Sequence, residues 1–244
     1  MPARRIVVGD QATSSPRRPL FDPETMPLDP TFADPAVRGP AVDARRLSAH
    51  ALRQRFAAPP AWQPEMNMDG RLALLEDPPR PAAVLVPLVQ RESGLTVLLT
   101  QRTAHLYEHA GQISFPGGRT EEADGSAQAT ALRETHEEIG LAPHAVEVIG
   151  SLPEYVVVTG YRVTPVVGVI ERDFTLRLDE FEVAEVFEVP LAFLMDPANH
   201  ERREISIDGV NRTFYAMPYE GRRRYFIWGA TAAMLRNLYH FLSS

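Results

Sequence analysis

Cysteine is absent from this chain of 244 residues. Its absence excludes disulfides, thiolate catalysis and cysteine-ligated zinc, and it fits a reducing compartment. Long hydrophobic runs are missing too, because no stretch approaches the roughly 18 apolar residues that a membrane span requires. The N-terminal stretch "MPARRIVVGDQATSS" contains only the short apolar run "IVV", which is too short for a signal peptide. We therefore expect a cytoplasmic protein without a membrane partner.

An excess of positive charge is also missing. The chain has 25 Lys and Arg against 32 Asp and Glu, which gives a net charge of −7. We therefore expect no nucleic-acid-binding surface. A protein this acidic needs local cations if its substrate is anionic. Apolar residues, in contrast, are plentiful at 44% of the sequence, enough to bury a core.

Proline divides the chain into two parts. Thirteen of the 22 prolines fall in residues 1–80. Residues 10–42 show neither helical nor strand periodicity, which predicts an irregular arm that adds little to the core. One helix is predicted at about residues 43–57, because its apolar positions share a face and two prolines follow it. We divide the chain into an N-terminal extension, residues 1–80, and a compact domain, residues 81–244.

The compact domain shows many strand patterns and few helical ones. Strands are predicted at residues 82–89, 95–102, 145–152, 161–170 and 183–190, a hairpin at 204–219 turning at Asp208–Gly209, and helices at 126–139, 191–196 and 228–242. The basic stretch "GRRRYF", residues 221–226, predicts a charged turn before the last helix. Strands mixed with a few helices favour an α/β sandwich.

Three glutamates stand within five positions in "RETHEEIG", residues 133–140. On a helix, Glu134, Glu137 and Glu138 share one face, and like charges at this spacing cost roughly 0.2–0.5 kcal/mol per pair. Divalent cations among the carboxylates would reverse that cost, and Mg²⁺ prefers such oxygens together with substrate phosphates. For an isolated E-x-x-E-E pattern, however, a solvent-exposed acidic face is the more common explanation.

The surrounding residues favour the metal. The stretch "GGRTEEADGSAQATALRETHEEIGL", residues 117–141, resembles the Nudix box. Its R-E-x-x-E-E-x-G core matches at Arg133, Glu134, Glu137, Glu138 and Gly140. The interval from Gly118 to Arg133 is one residue longer than the general pattern, Asp124 stands near a usual glutamate, and Thr135 fills a usually aliphatic position. The resemblance implies a Nudix α/β/α sandwich with a mixed sheet, and metal-dependent cleavage of a diphosphate.

The resemblance also implies roles for the residues of the box. Glu134 and Glu138 would be the main ligands of Mg²⁺ or Mn²⁺, and Glu137 would be a ligand or would orient the catalytic water. Arg133 would tether the glutamates by charge-assisted hydrogen bonds. Gly118 would bring a backbone carbonyl close to the metal, which suits a residue without Cβ.

A further acid outside the box often serves as base or ligand in this family. The stretch "DEFEVAEVFEVP" offers Glu182 and Glu185. We prefer Glu185 at this stage. For either residue taken singly, an ordinary position in a solvent-facing loop is the simpler explanation.

The segment before the box concerns the substrate. "LLTQRTAHLYEHAGQISFPGG", residues 98–118, resembles the signature of the coenzyme A pyrophosphatase branch, as does "LPEYVVVTGYRVTPVVG", residues 152–168. The resemblance covers roughly residues 80–242. It implies hydrolysis of coenzyme A or its thioesters to 3′,5′-ADP and 4′-phosphopantetheine or its acyl form. The implied substrate-binding residues are Arg102, Thr103, Tyr107, Phe115 and Arg162.

Two departures from that signature matter. Thr103 replaces a serine and keeps the hydroxyl, whereas Tyr107 replaces an arginine and removes a cation. Coenzyme A carries a 3′-phosphate, which arginine binds well. The cations that remain as candidates are Arg102, Arg119, Arg162, His105 and His109. ADP-ribose or a dinucleotide such as NADH is therefore an alternative substrate.

A non-catalytic nucleotide-binding regulator is the alternative from another functional class. Loss of a box glutamate would favour it, and all three glutamates are present. In each case the expected partner is a small nucleotide, and a homodimer is left open.

Overall fold

The structure, a computed structural model, describes residues 21–66, 72, 77–104, 111–207 and 210–244. Its centre is a mixed sheet of eight strands. These are β1 Arg80–Arg91, β2 Gly94–Arg102, β3 Ile113–Ser114, β4 Gly117–Arg119, β5 Val146–Ser151, β6 Tyr155–Val157, β7 Tyr161–Ile170 and β8 Val183–Pro190. A second sheet contains β9 Glu201–Ile207, β10 Val210–Glu220 and β11 Arg224–Trp228.

The central sheet has the order β3-β2-β1-β7-β5, with β4 beside β1, β6 beside β7 and β8 beside β2. Strands β1 and β7 run parallel, and the other pairs described in this sheet are antiparallel. The pairing of β8 with β2 slips between Gln101 and Arg102, so Ala184 is an extra residue on β8. Such a bulge turns the side chains that follow it and is frequent beside active sites.

Within the described residues, five α-helices accompany the sheets: α1 Pro35–Arg38, α2 Ala49–Ala57, α3 Ala127–Ile139, α4 Leu191–Leu194 and α5 Gly229–Ser243. Helix α3 packs on one face of the central sheet, where Ala131 and Ile139 meet Leu85. Helices α2 and α5 belong to the core on the other face. The fold is therefore the expected α/β/α sandwich around a mixed sheet. Within the described residues, no helix has both the length and the apolar character needed to cross a membrane.

The predicted elements of the compact domain are largely confirmed. Helix α3 begins after Ser126, whose hydroxyl accepts the N–H of Ala129, and it ends at Gly140 with φ 70°. The hairpin of β9 and β10 is present, and its predicted turn at Asp208–Gly209 lies outside the described residues. The prediction for residues 221–226 was wrong in part, because Arg224 opens β11 and pairs with Glu220 of β10.

The N-terminal extension has no long helix or strand in residues 21–42, only two 3₁₀ turns and the four-residue α1, but it is not peripheral. Phe32 is buried and its ring lies 5.6 Å from that of Tyr215. The buried carboxylate of Asp29 accepts a hydrogen bond from Arg202 at 2.6 Å. The expectation that the arm adds little to the core was wrong, because a sequence without periodicity can still dock through single side chains.

The helix predicted at about residues 43–57 consists of two pieces. A 3₁₀ turn covers Ala44–Leu47, and α2 begins only after Ser48. The hydroxyl of Ser48 accepts the N–H of Ala51, which is the usual N-cap arrangement. Ser48 therefore starts a new helix where the prediction had a continuous one.

Candidate active site

One carboxylate on the acidic turn of α3, that of Glu138, points into the protein interior. Glu138 is 6% exposed, and its carboxylate accepts hydrogen bonds from the N–H of Gly117 at 3.2 Å and from Arg102 at 3.4 Å. Burial raises the pKa of Glu138 to about 7, and the charge of Arg102 opposes this only in part. The buried carboxylate therefore has less positive charge around it than its ionised form requires.

The carboxylate of Glu134 lies against the backbone of Gly118. A Cβ on Gly118 would lie 2.5 Å from that carboxylate, so any larger residue there would displace the end of the Glu134 side chain. Burial raises the pKa of Glu134, and the charges of Glu137 and Glu182 add to the effect. The structure thus explains the glycine by its contact with Glu134, while its carbonyl as a metal ligand stays a prediction.

Arg133 holds the box together from its outer side. Its guanidinium makes two hydrogen bonds to Asp124, at 2.9 and 2.8 Å. It also lies 3.0 Å from the carboxylates of Glu134 and Glu137, and it donates to the carbonyl of Arg119. The hydrogen bonds from Arg133 hold the pKa of Asp124 well below its usual range. Asp124 is thus the positioning acid of the box.

Glu182 reaches the box because its segment lies on the C-terminal end of α3. The N–H groups of Arg177 and Asp179 donate to the carbonyls of Ile139 and Glu138, both at 2.9 Å. The carboxylate of Glu182 then lies 3.7 Å from Arg102. Its charge contributes to the raised pKa of Glu138, which places it within electrostatic range of the cluster.

Glu185, the acid preferred from sequence, has other partners. Its carboxylate lies 2.5 Å from Arg223 and accepts the hydroxyl of Tyr225 at 2.7 Å. It lines a cleft of about 660 Å³ along β8 that includes Arg222 and Tyr225 but none of the box glutamates. The carboxylates that line this cleft, Glu185 and Glu188, are each paired with an arginine, so the box geometry is the better guide to the chemistry. Of the two acids, the structure brings Glu182 to the glutamates.

Thr103 joins the substrate segment to the segment of Glu182. Its side chain is 7% exposed, and its hydroxyl donates to the carbonyl of Phe181 at 2.7 Å. Its N–H donates to the carbonyl of Glu182 at 2.9 Å. The hydroxyl that seemed available for a substrate is therefore used to hold these two segments together.

The other predicted substrate contacts are dispersed. Phe115 is 3% exposed and packs in the core on the α5 side, which leaves its ring no open face. Arg162 is exposed and pairs with Glu154 at 3.2 Å. Tyr107 lies outside the described residues, as do His105 and His109. Of the candidates that the structure describes, Arg102 alone contacts both Glu138 and Glu182.

The donor side chains fit a divalent cation whose coordination shell is completed by oxygens of the substrate. Across residues 21–66, 72, 77–104, 111–207 and 210–244, no three Asp, Glu or His side chains converge into a full metal cage. Glu134 and Glu138 nevertheless supply two inward carboxylates beside a glycine backbone, while Glu137 stands at the rim with 57% of its side chain exposed. Mg²⁺ is usually bound by one or two carboxylates together with waters and substrate phosphates.

Comparisons with known proteins agree with this geometry. A family model described as the NUDIX domain matches residues 79–208. An Escherichia coli K12 protein named "Uncharacterized Nudix hydrolase NudL" is 49% identical over 160 residues, which cover 65% of this chain and 81% of the relative. The protein of the same name from Shigella boydii serotype 18 is 48% identical over the same coverage.

Solved structures are more distant. A Nudix hydrolase from M. smegmatis, RenU, is 22% identical with a TM-score of 0.41, covering 47% of this chain and 73% of its own. A binary complex of a C. elegans Ap4A hydrolase is 18% identical with a TM-score of 0.40, covering 45% of this chain and 80% of its own.

Proposed function

Since the chain belongs to the Nudix family, whose members hydrolyse diphosphate bonds of small nucleotide derivatives with divalent metals, we propose that its substrate is coenzyme A or one of its thioesters. The products are 3′,5′-ADP and 4′-phosphopantetheine or its acyl form. The observation that carries hydrolysis is the pair of inward carboxylates, Glu134 and Glu138, beside Gly118. The segment of residues 98–118 supports the choice of substrate.

Glu134 and Glu138 would hold Mg²⁺ or Mn²⁺, with Glu137 at the rim and the carbonyl of Gly118 as a further oxygen. When bound, such an ion neutralises diphosphate charge and makes a water more acidic. Arg133 keeps the turn in place, because it is itself held by Asp124 through two hydrogen bonds. This rigid support orients the carboxylates before substrate arrives.

We assign the role of general base to Glu182. Its backbone is held at one end by Thr103 and at the other by the contact of Asp179 with α3. Its carboxylate lies beside Arg102, so a water between it and the box glutamates could lose a proton to it. Arg102 is 26% exposed, and its Nε has no partner among the described residues, which leaves a donor for a phosphate oxygen.

A matched pair of substitutions tests the base. Glu182→Gln should lower kcat by at least ~10²-fold with KM nearly unchanged, because proton transfer contributes about 10²–10⁴-fold to such reactions. Glu185→Gln should leave kcat within a few-fold, since Glu185 lies only three positions further along the chain but is bound to Arg223 and Tyr225. The reverse result would return the role to Glu185.

A substrate panel tests the choice of coenzyme A. The full chain is incubated with coenzyme A, dephospho-coenzyme A, ADP-ribose and NADH, with Mg²⁺ or Mn²⁺, and the phosphate products are separated by chromatography. Coenzyme A should give the highest kcat/KM and release 3′,5′-ADP. Preference for ADP-ribose or NADH would overturn coenzyme A but not hydrolysis, and binding without any turnover would favour a regulator. Fractionation would test the proposed cytoplasmic location separately.

A further inference from the structure

Three side chains share one face of the central sheet where β1 begins. Arg80 of β1 stands opposite Tyr161 of β7, and Ala82 stands opposite Arg119 of β4. Residues paired across strands lie on the same face, as do residues two apart on one strand. The guanidinium carbons of Arg80 and Arg119 lie 4.7 and 5.5 Å from the centroid of the Tyr161 ring. We call Arg80, Arg119 and Tyr161 the arginine platform.

The platform concentrates positive charge that no described carboxylate pairs with. Neither arginine has a carboxylate within ion-pair distance in the part of the chain that the structure describes. Other exposed arginines do find acids, as Arg172 does with Glu92 at 2.8 Å. Two guanidinium groups held on one ring repel each other, and a bound anion would remove that cost.

The position of the platform relates it to the box. Arg119 directly follows Gly118, and its carbonyl accepts a hydrogen bond from Arg133 at 3.0 Å. The side chain of Gly118 would point towards Glu134 on the α3 face, whereas Arg119 belongs to the opposite face. A group bound by the platform is therefore not the diphosphate itself, and the platform is joined to the box through the backbone of Gly118 and Arg119.

We infer that the arginine platform is a second anion subsite, which binds a phosphate monoester of the nucleotide substrate. Two arginines present the forked donors that suit the oxygens of a phosphate dianion. If coenzyme A is the substrate, a point that rests on the proposed function, the group bound there is its 3′-phosphate. Arg162 is a weaker candidate than either platform arginine, because it is already paired with Glu154.

Direct binding tests the subsite without requiring turnover. The full chain is titrated calorimetrically with 3′,5′-ADP and with 5′-AMP, which lacks the second phosphate. Wild type should bind 3′,5′-ADP about tenfold more tightly than 5′-AMP, and Arg80→Gln or Arg119→Gln should each lose about 3- to 10-fold for 3′,5′-ADP only. Tyr161→Phe keeps the ring and should retain the preference.

The matched control is Arg172→Gln, which removes the same charge from an exposed, paired arginine beyond the other end of β7. It should bind both nucleotides as wild type does. An equal loss in the control would mean that bulk charge is responsible and would overturn the subsite. Equal binding of the two nucleotides by wild type would overturn it as well.

Kinetics separate this inference from the proposed function. In platform variants KM for coenzyme A should rise about 3- to 10-fold with kcat nearly constant, while dephospho-coenzyme A shows no change. If wild type prefers 3′,5′-ADP, and platform variants lose the preference, but coenzyme A is not cleaved, the subsite stands and the substrate assignment fails. If coenzyme A is cleaved but platform variants behave as wild type, the substrate assignment stands and the subsite fails.

Discussion

Helices α3 and α5 both lie beside buried charged groups, but the charges are compensated to different degrees. On α3, Glu138 is 6% exposed with Arg102 3.4 Å away, and burial raises its pKa to about 7. Beside α5, burial alone would raise the pKa of Glu65, but hydrogen bonding from His240 and the charge of Arg236 hold it at about 2. Internally paired charges serve the fold, whereas under-compensated ones mark the place where a ligand supplies the missing charge.

The α5 network surrounds a buried arginine, while its acid Glu65 keeps 34% of its side chain exposed. Arg236 is 3% exposed and donates towards Glu65 at 3.3 Å and His200 at 3.2 Å. Its guanidinium also lies 5.0 to 5.5 Å from the ring centroids of Phe32, Tyr215 and Tyr239. Because Phe32 belongs to the N-terminal extension, this network fastens the extension to the C-terminal helix.

Removing the cation of the α5 network, Arg236, should have the largest effect, and the effect should be on stability. We expect Arg236→Met to lower the free energy of unfolding by about 3–5 kcal/mol, because it leaves buried partners without their cation. Urea unfolding measures this, and kcat of the folded variant should stay within a few-fold of wild type. Arg45→Met is the control, since Arg45 has 90% of its side chain exposed. A change below about 1 kcal/mol for Arg236→Met would contradict the contrast between the helices.

Neutralising the under-compensated carboxylate on α3, Glu138, should affect catalysis rather than stability. We expect Glu138→Gln to lower kcat by at least ~10²-fold, about 2.7 kcal/mol in the barrier, because it removes a metal ligand. The free energy of unfolding at pH 7 should not fall, since a buried amide needs no counter-ion. Glu147→Gln, at a surface pair with Arg53, is the activity control. Near wild-type turnover in folded Glu138→Gln would remove Glu138 from the metal site.

Lowering the pH should destabilise the α5 network by protonating His200. Its Nε2 donates to the carbonyl of Leu194 at 2.7 Å and its Nδ1 accepts from Arg236, an arrangement that requires the neutral ring. Burial lowers the pKa of His200 from 6.5 to about 4, with Arg236 and His240 acting in the same direction and Asp196 opposing. The unfolded chain therefore takes up a proton first as the pH falls.

This stabilisation is complete above pH 6.5 and is lost as the pH falls towards about 4. Between pH 7 and pH 4.5 we expect a loss of about 2 kcal/mol from this group. Urea unfolding of wild type and His200→Gln at several pH values isolates it, because the variant should lose less over the same range. Parallel curves would show that His200 is not responsible.

Adding a divalent cation should have the smallest effect of these experiments. It tests the difference between the carboxylates of α3 and the ion pairs of α5 directly. About 5 mM Mg²⁺ should stabilise wild type by about 1 kcal/mol and raise Tm by about 2–4 °C, because it binds only the folded chain. Glu138→Gln should lose this shift, whereas Arg236→Met should keep it despite a lower starting Tm. A shift of the same size in Glu138→Gln would place the stabilising cation elsewhere.

Local patterns predicted much of the fold and the acidic turn. The helical period places Glu134 and Glu138 together, and Ser126 and Gly140 bound the helix through capping chemistry that acts within a few residues. The role of Asp124 was only partly visible, because the sequence showed it as standing near a usual glutamate of the box, whereas in the structure its carboxylate holds Arg133.

Contacts between distant parts of the chain could not be predicted in this way. The choice of Glu182 over Glu185 follows from the hydrogen bonds that hold residues 177–179 on the end of α3, which no local pattern signals. The docking of Phe32 on Tyr215 joins residues far apart in an arm without periodicity. Both depend on tertiary packing, to which periodicity within a short window is insensitive.

The parallel pairing of β1 with β7 joins residues roughly 80 positions apart, from Arg80 with Tyr161 to Val89 with Ile170. The whole acidic box lies in the chain between these strands. Closing so long a loop costs conformational entropy before the strand contacts can stabilise it. This step is therefore slow compared with formation of α3. During refolding, helical signal should therefore appear well before hydrolytic activity, and a growing chain should gain its active site only after β7 has been made and paired.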